Sequence, residues 1–244
     1  MSVRQEFDAW AEDGRDRGME ERHWHTAKHA LARMPVEAGD RVLDLGSGSG
    51  YAGRAIGEAA GAGAVYGLDG SPAMARNARK YTDDPSVGYL VGDFGAAEST
   101  VESDAGTADA TGVNLPFDDD SIDHAWSMEA FYYAADPEHT LRELARVLRS
   151  GGTFYCAVNY YEENVHSHDW QENIDVEMTR WSRREYREAF RAAGFHVAEQ
   201  DAVPDEETEI PPEEAFPTEE WDSREAMIER YRVYGTLLTV GVVP

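Results

Sequence analysis

Arg41-Val-Leu-Asp-Leu-Gly-Ser-Gly-Ser-Gly50 is the stretch that most limits what this chain can fold into. Val42, Leu43 and Leu45 read as a short buried strand, Gly46–Gly50 as a sharp turn, and Tyr51–Ala60 as an alanine-rich helix. A strand that runs through a glycine turn into a helix presents backbone N–H groups to a ligand, and it belongs to α/β folds. The alternation continues downstream. Strands are expected at Ala64–Leu68, Val87–Val91, Ile122–Trp126 and Thr153–Val158, and helices at Pro72–Tyr81 and Pro137–Leu148. Single helices between strands imply parallel crossovers in an open sheet. A helix at Arg183–Ala193, a strand at Phe195–Glu199, a helix at Asp222–Tyr234 and a last strand at Thr236–Val242 complete the pattern, and the short approach to that last strand permits an antiparallel partner.

Three segments interrupt this rhythm. Residues 1–38 read as a helical arm, with Trp24, Ala27, Leu31 and Met34 at helical spacing, ended by Pro35 and Gly39; it is expected to lie over the ligand as a lid. Residues 95–114 are rich in Ser, Thr, Ala, Asp and Glu with no apolar period, and read as a surface loop inserted into a domain spanning 39–244. Residues 159–181, dense in Tyr, His, Trp and Glu, and the acidic, proline-bearing 201–235 are expected to cover a substrate.

Composition narrows the setting. Acidic residues number 48 against 22 Lys and Arg, a formal net charge of −26, yet 41% of residues are hydrophobic. Such self-repulsion is tolerable where molar salt cuts the Debye length to ~3 Å, so the acidity reads as adaptation to a salt-filled cytoplasm. It also disfavours nucleic acid as a partner, because phosphates are repelled by the whole surface. The single cysteine, Cys156, fits a reducing interior, and no apolar run approaches a membrane span. The expectation is a cytoplasmic protein.

The glycine turn by itself suits either a dinucleotide or S-adenosylmethionine. A dinucleotide fingerprint would place its third glycine at Tyr51, whereas the sequence gives Gly46, Gly48 and Gly50. Asp44 adds a carboxylate that would repel a pyrophosphate and suit an ammonium group. Asp69 ends the second strand, where a carboxylate can accept both ribose hydroxyls, and Asp93 ends the third, where it can accept from an adenine amino group beside the apolar Phe94.

Taken in order, Val42–Gly50, Gly67-Leu-Asp-Gly-Ser-Pro-Ala-Met74, Gly92-Asp93, Leu115-Pro-Phe-Asp-Asp-Asp-Ser-Ile-Asp123 and Arg146-Val-Leu-Arg-Ser-Gly-Gly-Thr153 resemble the motifs of class I S-adenosylmethionine-dependent methyltransferases. The resemblance spans about residues 40–160 and is nearest to the small-molecule branch that includes quinone-biosynthesis C-methyltransferases. It implies a Rossmann-like, seven-stranded, mostly parallel sheet with an antiparallel last strand and helices on both faces. It also implies S-adenosyl-L-methionine as cofactor. Gly46, Ser47 and Gly48 would pack on its methionine part, with Asp44 at the amino group and Asp69 at the ribose. Gly70 and Met74 would flank the adenosine, Asp93 and Phe94 would hold the adenine, and the Ser127 carbonyl would lie near the ammonium. The family spaces Gly-Asp closely to Leu-Pro-Phe, whereas 95–114 intervenes here; Asp109-Ala110 could therefore stand in for the adenine pair, although Asp93 is preferred because it follows a β-rich stretch.

Methyl transfer is an in-line displacement that needs positioning, exclusion of water and, for weak nucleophiles, a base. His25, His168 and Tyr132 are the catalytic candidates, and Trp24, Tyr133, Tyr160 and His166 the substrate-binding ones, with Tyr161 and Trp170 also on the segments where substrate should lie, because a Tyr/Trp/His cluster suits a small aromatic or apolar acceptor. No metal is expected, since the His spacings match no zinc pattern. A protein that binds the cofactor or its demethylated product as a sensor or non-catalytic partner is the alternative. The oligomeric state is open.

Overall fold

The computed structural model describes residues 2–61, 63–94, 101–103, 106–108, 114–174 and 176–244. One sheet runs through the molecule. Its strands are β1 (Arg41–Leu45), β2 (Ala64–Asp69), β3 (Val87–Val91), β4 (Val101–Ser103), β5 (Gly106–Ala108), β6 (Ile122–Met128), β7 (Leu148–Val158), β8 (His196–Val203) and β9 (Thr236–Val242), in the spatial order β5-β4-β3-β2-β1-β6-β7-β9-β8. Pairings among β3, β2, β1, β6 and β7 are parallel, and β9 is antiparallel to both β7 and β8. These seven strands are the sheet expected from the sequence. β4 and β5, both inside the 95–114 stretch, add an antiparallel hairpin beyond β3. Asp109 and Ala110 lie outside the described residues.

Alternation along each strand divides the core. Leu43, Leu45, Leu68, Ala125, Phe154 and Cys156 face one side, where α5 (Pro137–Val147) and α7 (Arg183–Ala192), separated in the chain by the short α6 (Trp170–Asn173), bring Leu141, Leu144, Tyr186 and Phe190. Val42, Val65, Trp126 and Tyr155 face the other, against Ala27 and Ala30 of α2 (Asp16–Leu31), Ala52 and Ile56 of α3 (Tyr51–Ala60), and Ala78 of α4 (Pro72–Tyr81). Near-continuous apolar strands are what a sheet covered on both faces requires. Helix starts follow the capping chemistry: Ser71 accepts from the Met74 N–H with Pro72 in the first turn of α4, and Ser182 with Glu185 forms a capping box on α7.

Several boundaries move. The helical arm is two helices, α1 (Val3–Glu12) and α2, joined by a turn at Asp13–Arg15 rather than one periodic run. β6 and β7 are longer than the apolar stretches suggest, because the residues flanking them still find ladder partners: Ser127 pairs with Cys156 and Met128 with Ala157. The last helical segment begins after Ser223, its cap, rather than at Asp222, and after α8 (Arg224–Ile228) it widens to a π-helix over Glu229–Tyr234. The crossovers leave β1 and β6 in opposite directions, toward β2 and β7. That is the switch point where open α/β sheets bind ligands.

Candidate active site

A cavity of about 300 Å³ opens at the carboxyl ends of β1, β2, β3 and β6. Its floor is the glycine turn. Gly46 and Ser47 donate their N–H groups to the Leu68 carbonyl at 2.8 and 3.1 Å, and Gly48 donates to Asp69 Oδ2 at 2.7 Å. The Asp69 carboxylate is further fixed by the Ser71 N–H on Oδ1 at 2.8 Å. Only glycine is admissible at Gly46: its φ is +74°, and a Cβ there would sit 2.2 Å from Ala130 Cβ, just beyond β6. The turn is pinned from below by Tyr89, whose hydroxyl donates to the Gly50 carbonyl at 3.2 Å.

Of the residues assigned to the cofactor, Gly46, Ser47, Gly48, Asp69, Gly70, Met74, Asp93 and Phe94 all line this cavity. Asp44 and Ser127 do not. Asp44 is buried beneath the turn, where Oδ2 accepts from the Gly53 N–H at 3.1 Å and so caps the first turn of α3. Ser127 is wholly buried in β6, and the wall is made by Met128, Glu129 and Ala130 that follow it. Burial pushes the Asp44 carboxyl up to about 7 and that of Asp69 to about 6, the latter held back by its two N–H donors.

The wall suits a cationic, nucleoside-bearing ligand. Two buried polar atoms on it, Ser47 Oγ and Asp16 Oδ1, lack a hydrogen-bond partner among the described residues, a costly arrangement unless a ligand completes it. Asp16 was not legible as a site residue, because it reads as an ordinary acidic helix start; only the docking of α2 brings it to the cavity.

A second cavity, about 360 Å³, adjoins the first and shares Phe7, Met19, His23, Glu129 and Tyr133 with it. The rings of Tyr132 and Tyr133 meet at a tilt with centroids 4.6 Å apart, and Tyr160 lies behind this wall against Tyr132 at 5.7 Å and Trp170 at 6.4 Å. The other sequence candidates are elsewhere. His25 holds Asp205 through Nδ1 at 3.2 Å outside the cavity lining, and His166 pairs with Glu229 at 3.0 Å. His168 meets the Glu162 carbonyl at 2.9 Å near the surface, and Trp24 packs on Tyr51 at 6.3 Å between α2 and α3.

The residue passed over in the sequence is Glu129. It is 8% exposed and lines both cavities. Its φ of +54° is a conformation that non-glycine residues adopt at a cost, and it turns the side chain off the end of β6. Tyr132 donates its hydroxyl to Oε2 at 3.1 Å and the Asn159 N–H donates to Oε1. Burial pushes the carboxyl up to about 7, with the Arg230 guanidinium pulling the other way. His23, beside it, is pushed down to about 4 by burial and by Arg22 and Arg230, so at neutral pH its imidazole is uncharged and a weak base. A base works best when its pKa lies near the working pH, which favours Glu129 over His23. Tyr132, raised far above the ordinary phenol by burial and by Glu129, serves as a donor.

Residues 43–156 match the methyltransferase domain model. A Haloferax volcanii protein, solved in complex with the methyltransferase activator Trm112, is 65% identical across 100% of both chains, with a TM-score of 0.90. The chain belongs to the class I S-adenosylmethionine-dependent methyltransferases. S-adenosylmethionine is therefore its methyl donor. A methyltransferase from Mesorhizobium loti shares the fold at 21% identity and a TM-score of 0.64, covering 88% of this chain and 96% of that one. Among curated relatives, the sterol 24-C-methyltransferase of Schizosaccharomyces pombe is 28% identical over 193 residues, 73% of this chain and 46% of the relative. The methyltransferase thus spans about half the length of that relative. Among the described residues no helix is long and apolar enough to cross a membrane, and no three His, Cys, Asp or Glu side chains group to hold a metal.

Proposed function

We propose that this methyltransferase moves a methyl group to a small, ring-bearing acceptor across the seam between its two cavities, in a halophilic cytoplasm. The observation that carries the reading is the shared wall: Glu129 borders both the chamber at the strand ends and the aromatic chamber beside it. The first chamber suits the donor. The Asp69 carboxylate is oriented by two backbone N–H groups and is ready for the ribose hydroxyls, while Asp93 and Phe94 sit at the adenine end. Met74 and Gly70 flank the nucleoside, and Ser47 with Asp16 faces the amino-acid end. Asp44 acts from beneath the turn as a buried negative charge.

Bound S-adenosylmethionine supplies a methyl group on a positively charged sulfur, so departure leaves a neutral thioether. The protein's own work is to hold the acceptor in line, keep water out and receive a proton. The rings of Phe7, Trp10, Tyr133 and Trp170 line the acceptor chamber. Glu129 takes the acceptor's proton as the new bond to carbon forms, and Tyr132 steadies the carboxylate through its hydroxyl. Nucleic acid is disfavoured as acceptor by the net charge of −26.

Incubating the protein and isotopically labelled donor with a small-molecule extract, then searching by mass spectrometry for labelled products, tests the reading. Label appearing in low-mass ring compounds supports it; label confined to protein or RNA defeats it. A second reading draws on the Haloferax volcanii relative, which was solved with a methyltransferase activator. Here the chain would be a cofactor-binding partner, or a catalyst only within such a complex. Turnover that requires co-expression with a Trm112 homologue favours this reading.

A further inference from the structure

We infer that the acceptor carries an anionic group, carboxylate or phosphate, which Arg230 grips while the acceptor's ring lies among the aromatic side chains of the second cavity. This rests on the proposed reading of that cavity as the acceptor chamber. Arg230 is 7% exposed and is the only buried Lys or Arg among the described residues. In a chain with 48 carboxylates against 22 Lys and Arg, a buried cation would be expected to find a carboxylate. Arg230 has none within ion-pair distance among the described residues. Its hydrogen bond is a long one, from Nη1 to the Gly235 carbonyl at 3.3 Å. The guanidinium instead lies over the rings of Trp170 at 5.6 Å and Tyr231 at 5.3 Å, contacts that leave its N–H donors unmatched.

The backbone supports the same conclusion independently. Arg230 and Tyr231 are placed on the cavity wall by the π-helical turn Glu229–Tyr234, a distortion that costs regular hydrogen bonding and is found most often at functional sites. Arg22, on the same wall, adds a second cation without a carboxylate partner among the described residues; its Nε donates to the Gly18 carbonyl at 3.3 Å. The acids nearby do not close an ion pair with it: Glu129 feels the Arg230 charge, yet neither it nor Asp205 lies within ion-pair distance, and each is held by other donors. Asp205 is taken up by the Glu207 and Thr208 N–H groups, each at 2.9 Å, and by His25. Glu129 is taken up by Tyr132 and Asn159. A planar guanidinium with free donors, lying over two aromatic rings, matches the two oxygens of a carboxylate or phosphate attached to a flat body.

The test compares matched probes. Binding of benzoate, naphthoate and phenyl phosphate is measured against benzamide, naphthamide and phenol, by calorimetry in molar potassium chloride with S-adenosylhomocysteine present. The wild type is expected to prefer the anions at least ~30-fold, with Arg230→Gln abolishing the preference and Arg230→Lys keeping part of it. Carboxylate and phosphate are separated by which probe class binds more tightly. S-adenosylhomocysteine binding by each variant reports folding and the donor chamber; its absence in the wild type would count against the methyltransferase reading rather than this one. Anions binding no better than their neutral partners, including when no probe binds, overturns the inference. So does a variant that keeps the preference and shifts only the pH midpoint of turnover, since Arg230 would then serve Glu129 alone.

Discussion

The two chambers that meet at Glu129 are built by opposite means. The chamber proposed for the donor has a floor of backbone, with glycine N–H groups, strand ends and one carboxylate fixed by two amides, beneath side chains of α1 and α2. The acceptor chamber is made of side chains carried by α1, α2, the residues after β6 and β7, the 205–208 segment and the π-helical turn. Backbone geometry is dictated by the fold and tolerates little variation, so it suits a cofactor common to many enzymes. Side chains on covering segments can change without disturbing the sheet, so they suit a substrate particular to one.

The contrast can be tested by mutations that strike one chamber and spare the other. The largest effect is expected at the seam. Glu129→Gln should lower kcat by ~10²–10⁴ with donor affinity nearly intact, and should erase a rise of kcat with pH through about 7, the range in which Glu129 loses its proton and becomes able to act as base. Rates in stopped assays across pH, alongside donor calorimetry, would show it; a wild-type profile flat from pH 6 to 8 would discount Glu129 as base. Gly46→Ala comes next. The added carbon collides with Ala130 and φ is unfavourable, so donor affinity should fall ~100-fold while matched acceptor probes still bind.

Trp170→Ala should raise the acceptor KM ~10-fold and leave donor binding alone, because Trp170 lines only the second chamber. A change in donor affinity as large as that in KM would mean the chambers are not independent. The smallest effect is a proton count. Asp44 is raised to about 7 and Asp69 to about 6 in the protein without ligand, so near pH 6.5 the pair retains on the order of one proton. A cationic donor stabilises the ionised forms and expels that proton. Donor affinity should accordingly rise with pH up to about 7 and level off above it. Calorimetry in two buffers of different ionisation heat reads the proton directly, and Asp44→Asn should reduce it.

How far each chamber was legible follows from the same contrast. Asp69, Asp93 and the glycines are each set by residues a few positions away, so a strand, a turn and a carboxylate at its end could be read without knowing the rest. The fold was legible for the same reason, down to the antiparallel last strand. Leu115–Asp123 and Arg146 were legible as motifs but not in their role: Arg146 donates to the Leu115 and Phe117 carbonyls at 3.1 and 2.9 Å, stapling a loop rather than meeting a ligand. The acceptor side was legible in part: Tyr132, Tyr133 and Trp170, named from the sequence, line the second cavity. His166, His168 and Trp24 have suitable chemistry but do not line it, and Arg230 and Tyr231, which do, had no signature in the sequence. Glu129 had a visible address after β6, yet its left-handed backbone, which aims it between the chambers, has no signature in one sequence.

The shared wall carries a kinetic meaning. Phe7 of α1 and Met19 and His23 of α2 close both chambers together, and α1 is fastened by Asp8, which accepts from Ser71 Oγ at 2.6 Å and the Ala73 N–H at 3.0 Å at the start of α4. If the arm acts as the proposed lid, a displacement that lets spent donor escape would also unroof the acceptor. That reading predicts exchanges linked in time: an acceptor still waiting for its methyl group would be released whenever the donor is replaced, unless fresh donor has bound before the acceptor arrives.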